Sequence, residues 1–252
     1  MSKVSSLLFE AKFWSYSFAW ALWLRSQMSQ SPDVVYKGMR DWSQGVFLIA
    51  QRTAGIKVQL HGTENIPPIP CIYVARHESE LDTMMAYHLI GTQGLRRVVY
   101  VMKEELFKVP LYGRLAHYVG MISHKRRAGK EENLEMLRMI RASLEQGISV
   151  CFFPETARMV PGILGDLRPA LLLYSLYKDQ WVPIVPMNTN AGRIFPRSRL
   201  GKKPGVAEYQ VGQPLKFGLS RTAFLAKLTE VLEQEPISDK KRRPQERKKV
   251  QS

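Results

Sequence analysis

The chain has 252 residues, 45% of them hydrophobic and 23% charged, enough for one sizeable core and too apolar for a disordered polymer. Its 37 Lys and Arg against 22 Asp and Glu leave a formal charge of +15, which points to phosphate-bearing partners: nucleic acid, anionic lipid or a phosphorylated substrate. The two cysteines, Cys71 and Cys151, both sit in apolar runs, which excludes a disulfide framework and a Cys/His metal site and makes a reducing compartment the expectation.

At the N-terminus, LLFEAKFWSYSFAWALWL (7–24) superficially resembles a signal peptide, but Glu10 and Lys12 interrupt it and no small-residue cleavage site follows. No run of apolar residues is long enough to read as a membrane span. Ser31-Pro32-Asp33 then opens a helix with Ser as N-cap and Pro at its first position. Along it Val35, Met39, Trp42, Val46 and Ile49 recur at amphipathic spacing. Four of the five tryptophans, Trp14, Trp20, Trp23 and Trp42, fall in this region, and Trp favours the membrane–water boundary. Residues 1–56 are therefore expected to form a two-helix motif lying in or on a membrane, with these four rings in contact with lipid.

From residue 57 the pattern becomes strand–helix alternation. The runs VQLH, CIYVA, RVVYVM, ISVCFF, VPIVPM and AEYQV read as strands. Residues 131–145 read as a helix with Leu134, Leu137, Ile140 and Leu144 on one face. The prediction for 57–236 is an α/β domain with a largely parallel or mixed central sheet flanked by helices, its site beyond the carboxyl ends of the strands. Residues 237–252 are rich in Lys and Arg and read as a basic tail able to graze anionic lipid.

Two polar segments directly follow apolar strands: RHESELD after CIYVA, and FPETAR closing ISVCFF. Ser79-x-x-Asp82 has the form of a capping box, so Ser79 is expected as a helix cap at the site. His77 then lies just outside the helix, where the strand-to-helix turn can bring its imidazole back onto Asp82. A histidine oriented by a carboxylate is a suitable general base near neutral pH. Ser79 lacks the glycine-flanked elbow of a hydrolase nucleophile, so the hydroxyl that His77 activates is expected to belong to the substrate. Glu78 and Glu80 read as helix-start charges favoured by the dipole.

With these residues in view, the sequence resembles the 1-acylglycerol-3-phosphate acyltransferases and related lysophospholipid acyltransferases of bacterial type. The resemblance rests on four ordered blocks covering most of the chain: His77, Ser79, Asp82 and Thr83; Lys103 to Gly113 with Gly120, Ile122 and Arg126; Phe153, Pro154, Glu155 and Arg158; and VPIVPM. It implies transfer of an acyl chain from acyl-CoA or acyl-carrier protein to the free hydroxyl of 1-acylglycerol 3-phosphate, giving phosphatidate, without metal or other cofactor. His77 and Asp82 would be catalytic. Arg126, Arg158 and Lys103 would hold the substrate phosphate, and Glu155 would hold its loop or bond the glycerol hydroxyls. The implied partners are an anionic bilayer surface on the cytoplasmic face of the cell membrane and the lysophospholipid acceptor, with no nucleic acid.

Three positions depart from the family pattern: Lys125 stands where Asp is usual, Thr156 where Gly is, and Ala157 where Thr is. A β-branched Thr156 is expected to restrict the glutamate loop, and these changes keep other acceptors, such as lyso-ornithine lipid, in play. A basic scaffold or nucleic-acid binder is the alternative from another class, but the basic residues are not interleaved with aromatics along the chain.

Overall fold

In the computed structural model the described residues are 3–92, 97–125, 128–179, 181–196 and 202–234. Seven strands form one sheet: β1 (Ile56–His61), β2 (Ile72–Ala75), β3 (Val98–Lys103), β4 (Ile122–His124), β5 (Ser149–Phe152), β6 (Ile184–Thr189) and β7 (Gly205–Val211). Their order across the sheet is β1-β7-β6-β2-β5-β3-β4. All neighbouring pairs are parallel except β6 and β7. The sheet is therefore mixed, with β1 and β7 running against the other five strands, as the α/β reading expects. All six strands read from the sequence are present; β4, only three residues long, is additional.

Two long helices, α1 (Lys3–Ser26) and α2 (Pro32–Ala54), precede the sheet and pack on each other. Ser31 stands at the N-cap of α2 with Pro32 inside it, and Gly55 closes it in the left-handed region at φ 63, a conformation that costs glycine nothing. The apolar stripe of α2 turns inward. Val35, Met39 and Val46 are buried, Trp42 and Ile49 are half-buried against them, and the helix packs on β1 and on α3 (Leu81–Thr92). The amphipathic pattern at 35–49 thus belongs to the core of the α/β domain rather than to a lipid-facing surface.

The other helices are α4 (Tyr112–Tyr118), α5 (Lys130–Glu145), α6 (Tyr174–Lys178), α7 (Ala191–Ile194) and α8 (Arg221–Glu233). α5 lies on β4 and β5, and α8 on β6. On α5 the buried face is Met136, Ile140 and Leu144, with Leu137 partly covered; Leu134 points to solvent. The predicted face was turned by part of a helical step, because Met136 fills the core in its place.

α1 is apolar on two sides. Phe9, Phe13 and Leu24 are buried, and Phe9 meets Phe195, which follows α7, edge to face at 5.1 Å. On the opposite side Val4, Leu7, Leu8, Trp14, Phe18 and Leu22 are exposed, a stripe at helical spacing. Trp23 is also exposed, whereas Trp20 is half-buried and the half-buried Trp42 donates its indole N–H to Ser17 Oγ at 3.1 Å. Of the four rings expected at lipid, two face outward. No described helix is long and apolar enough to cross a membrane.

Candidate active site

RHESELD begins where β2 ends, in the middle of the sheet. Chain alternation sends Arg76 and Glu78 one way and His77 the other. Arg76 and Glu78 are buried and paired at 2.5 Å. Arg76 Nη1 also reaches the Leu232 carbonyl of α8 at 3.4 Å, and Glu78 Oε1 accepts the Gly162 N–H at 3.1 Å. Burial pushes the Glu78 carboxyl up to about 7 despite the opposing pull of Arg76 and the Gly162 N–H. The reading of Glu78 as a helix-start charge is corrected: it is half of a buried ion pair that clips the turn to the loop after β5. Glu80 does stand directly before α3, and it is also paired with Arg158.

His77 Nδ1 lies 3.2 Å from Asp82 Oδ2, with the imidazole 17% exposed and the carboxylate 1% exposed. An ionised carboxylate only accepts, so the pairing puts the proton on Nδ1 and leaves Nε2 as the basic nitrogen. Asp82 is itself held on every side. Oδ2 accepts the N–H groups of Glu78 and Ser79, both at 2.7 Å, and Oδ1 accepts the Tyr209 hydroxyl at 2.9 Å. Burial and the adjacent Asp82 charge raise the Tyr209 phenol well above its ordinary range, so it stays a donor. The imidazole stacks on Phe153 at 4.4 Å.

Ser79 accepts the Leu81 N–H at 3.2 Å and donates to the Phe195 carbonyl at 2.9 Å. With the Asp82 contact to its own N–H, both halves of a capping arrangement are present, although α3 is counted from Leu81. Its proton goes to the Phe195 carbonyl and not to the imidazole, which is not the arrangement of an activated nucleophile.

The FPETAR loop closes over the same turn. Glu155 is buried, its Oε2 accepting the His77 N–H at 2.7 Å and its Oε1 the Gly165 N–H at 2.9 Å. Burial raises its carboxyl above the usual range, with the two N–H groups pulling the other way. Both oxygens accept from backbone, which is the loop-holding half of the expectation for this residue. Thr156 sits at φ 56, the left-handed region in which a β-branched side chain is crowded. The family glycine at this position would be unstrained. Thr156→Gly should therefore stabilise the fold by about 1 kcal/mol, read as a higher urea midpoint at unchanged slope.

Arg158 pairs with Glu80 at 2.7 Å, and the neighbouring Met159 N–H donates to the His77 carbonyl at 2.8 Å. Lys103 ends β3 and is half-buried. It stands two strands from β2, roughly 10 Å away across β5. Lys125 is exposed and paired with Glu132 at 3.6 Å. Arg126 and residues 237–252 lie outside the described residues.

Two partners of the site escaped sequence reasoning. Tyr209 is 127 residues from Asp82 and carries no local motif; its only signal is a hydroxyl on a strand whose alternate residues are buried. Phe153 was visible as part of FPETAR, but its stacking on the imidazole was not.

A mixed sheet with a His–Asp pair at the central strand-to-helix turn, closed by a Pro-Glu loop, defines the glycerolipid acyltransferase fold. The chain superimposes with a TM-score of 0.72 on the 1-acyl-sn-glycerophosphate (LPA) acyltransferase of Thermotoga maritima, at 18% identity over 92% of this chain and 96% of that one. The chain belongs to the Acyltransferase family, whose model matches residues 57–190, just over half its length. It is 26% identical over 174 residues to a 1-acyl-sn-glycerol-3-phosphate acyltransferase of Pseudomonas aeruginosa, covering 69% of this chain and 65% of that protein. It is 28% identical over 158 residues to a probable enzyme of the same name from Mycoplasma pneumoniae, covering 59% and 55%. It thus spans less than two thirds of either relative.

Proposed function

We propose that the chain transfers an acyl group from a thioester, acyl-CoA or acyl-carrier protein, to the free hydroxyl of 1-acylglycerol 3-phosphate. The observation that carries this reading is the His77–Asp82 contact at 3.2 Å, with the neighbouring Ser79 hydroxyl turned to the Phe195 carbonyl rather than to the imidazole. His77 Nε2 takes the proton of the acceptor hydroxyl as its oxygen attacks the thioester carbon. The C–O bond forms, the C–S bond breaks, and the proton passes to the departing sulfur. Asp82 stabilises the imidazolium between these steps. Arg158 serves the acceptor phosphate as a bidentate donor. The names of the relatives support the acceptor. A panel assay offering lysophosphatidate with either thioester tests the reading, and absence of transfer from both would refute it.

The reaction takes place at a membrane surface. The support is the outward stripe of α1: a helix apolar on two faces needs a second apolar partner, and the net charge of +15 suits an anionic bilayer. Because α2 is part of the core, deleting residues 1–56 would damage the fold, so the test is on the stripe alone. Phe18→Glu with Leu22→Glu should weaken co-sedimentation with anionic vesicles by about 100-fold, from about 1.5 kcal/mol for each large apolar side chain buried, while the thermal midpoint stays unchanged. Undiminished co-sedimentation would exclude α1 as the lipid contact.

A further inference from the structure

Beside the His77 turn lies a pocket of about 200 Å³ whose walls include Glu10, Trp14, Glu80, Arg158, Phe195 and Lys202. This volume suits a polar headgroup and is too small for an acyl chain as well. It is joined to the general base through backbone. Glu80 is three residues beyond His77 in the same turn, and Arg158 precedes Met159, whose N–H binds the His77 carbonyl.

The charges of the pocket come in two unlike pairs. Lys202 has its side chain 1% exposed, is ion-paired with Glu10, and lies over the rings of Phe9 and Phe195 at 5.1 and 4.6 Å. It is a fixed part of the wall. Arg158 and Glu80 are open to solvent, 25% and 48% exposed; such a pair is worth no more than about 1 kcal/mol, so a ligand can part them at small cost.

Two cations and two carboxylates sum to zero. A ligand therefore gains nothing here from net negative charge alone, since Glu80 and Glu10 repel what Arg158 and Lys202 attract. The pocket offers instead a guanidinium and a carboxylate side by side. A headgroup bearing both a phosphate and a primary ammonium satisfies both, with the phosphate on the Arg158 fork and the ammonium on the Glu80 carboxylate that the phosphate has displaced.

We propose that this pocket admits a second acceptor class, zwitterionic lysophospholipids of the phosphoethanolamine type, with Glu80 as the residue that selects them. The inference rests on the acyl-transfer reading of His77, and the bond changes are those given above: ester C–O formed, thioester C–S broken, proton relayed from hydroxyl to sulfur. No other reactant enters.

The test uses the full chain in mixed micelles. Transfer to lysophosphatidylethanolamine and to lysophosphatidate is compared in the wild type and in Glu80→Gln. Binding of the soluble headgroups glycerophosphoethanolamine and glycerol 3-phosphate is followed in parallel through Trp14 fluorescence, with Trp14→Phe as the blank. The wild type should acylate both lipids, and Glu80→Gln should lower the kcat/KM ratio of zwitterionic to anionic acceptor by about tenfold, the effect of losing one charged hydrogen bond. A ratio that stays within about twofold of wild type, or a wild type that neither binds nor acylates the zwitterion while still acylating lysophosphatidate, overturns the pocket assignment alone. If neither lipid is acylated but glycerophosphoethanolamine binds and Glu80→Gln weakens it, the pocket assignment stands and the acyl-transfer reading falls.

Discussion

Replacing His77 with Ala is expected to lower acyl transfer by about 10²- to 10⁴-fold, the usual worth of a positioned general base, with the fold intact. The second half of this expectation comes from how the turn is built. What holds RHESELD in place is not the imidazole but the backbone around it. The His77 N–H is bound by Glu155, its carbonyl by Met159, and the next two N–H groups by Asp82. None of these bonds uses the His77 side chain. Its removal costs one hydrogen bond to the Asp82 carboxylate and the stacking on Phe153, about 2 to 3 kcal/mol together. Purified variant and wild type compared by initial rate and by urea midpoint should differ greatly in the first and moderately in the second. Transfer by the Ala variant within about tenfold of wild type, where a general base would supply far more, would exclude His77 as the base.

The sheet was legible because its strands are short β-rich runs bounded by Gly and Pro, and each of the six stands within two residues of where it was read. β4 was not, since three residues ahead of a basic run give no alternation to detect. The His77–Asp82 pair was legible for a different reason: both partners lie within one turn, so spacing alone constrains their meeting. Glu78 and Tyr209 show where that logic stops. The burial of Glu78 is imposed by Gly162 and by the close approach of Gly192, whose Cβ position lies 2.6 Å from the Glu78 Cβ. Tyr209 arrives from the far end of the chain. Neither contact leaves a trace in the neighbouring residues. The tryptophans teach a related lesson, because composition identified an apolar N-terminus without saying which face it would turn to the core. α2 spends its stripe on packing, whereas α1 keeps a second apolar stripe exposed.

The Asp82→Ala variant should fail in a different way from His77→Ala, losing stability as well as activity. Asp82 is 1% exposed and accepts from Glu78 N–H, Ser79 N–H and the Tyr209 hydroxyl as well as His77. Alanine leaves three buried donors without an acceptor, each at a cost of about 1 to 3 kcal/mol. A loss of about 3 to 5 kcal/mol follows, the size seen when one member of a buried charged network is removed, and a large part of the total stability of a domain. Asp82→Asn separates the two roles. Its single carbonyl oxygen can still serve the backbone N–H groups of the turn, but its amide donates where the carboxylate accepted and no longer stabilises an imidazolium. That variant should keep most of the stability yet lose acyl transfer by about 10⁴-fold, as an equivalent change does in a His–Asp pair of a hydrolase. Tyr209→Phe completes the comparison, since it removes one donor to Oδ1 and leaves His77 and both backbone contacts in place. It should cost about 1 kcal/mol and change the rate far less than either Asp82 variant. Urea midpoints and initial rates for the three proteins place each on both axes, and an Asp82→Asn variant as active as wild type would remove the carboxylate from the mechanism.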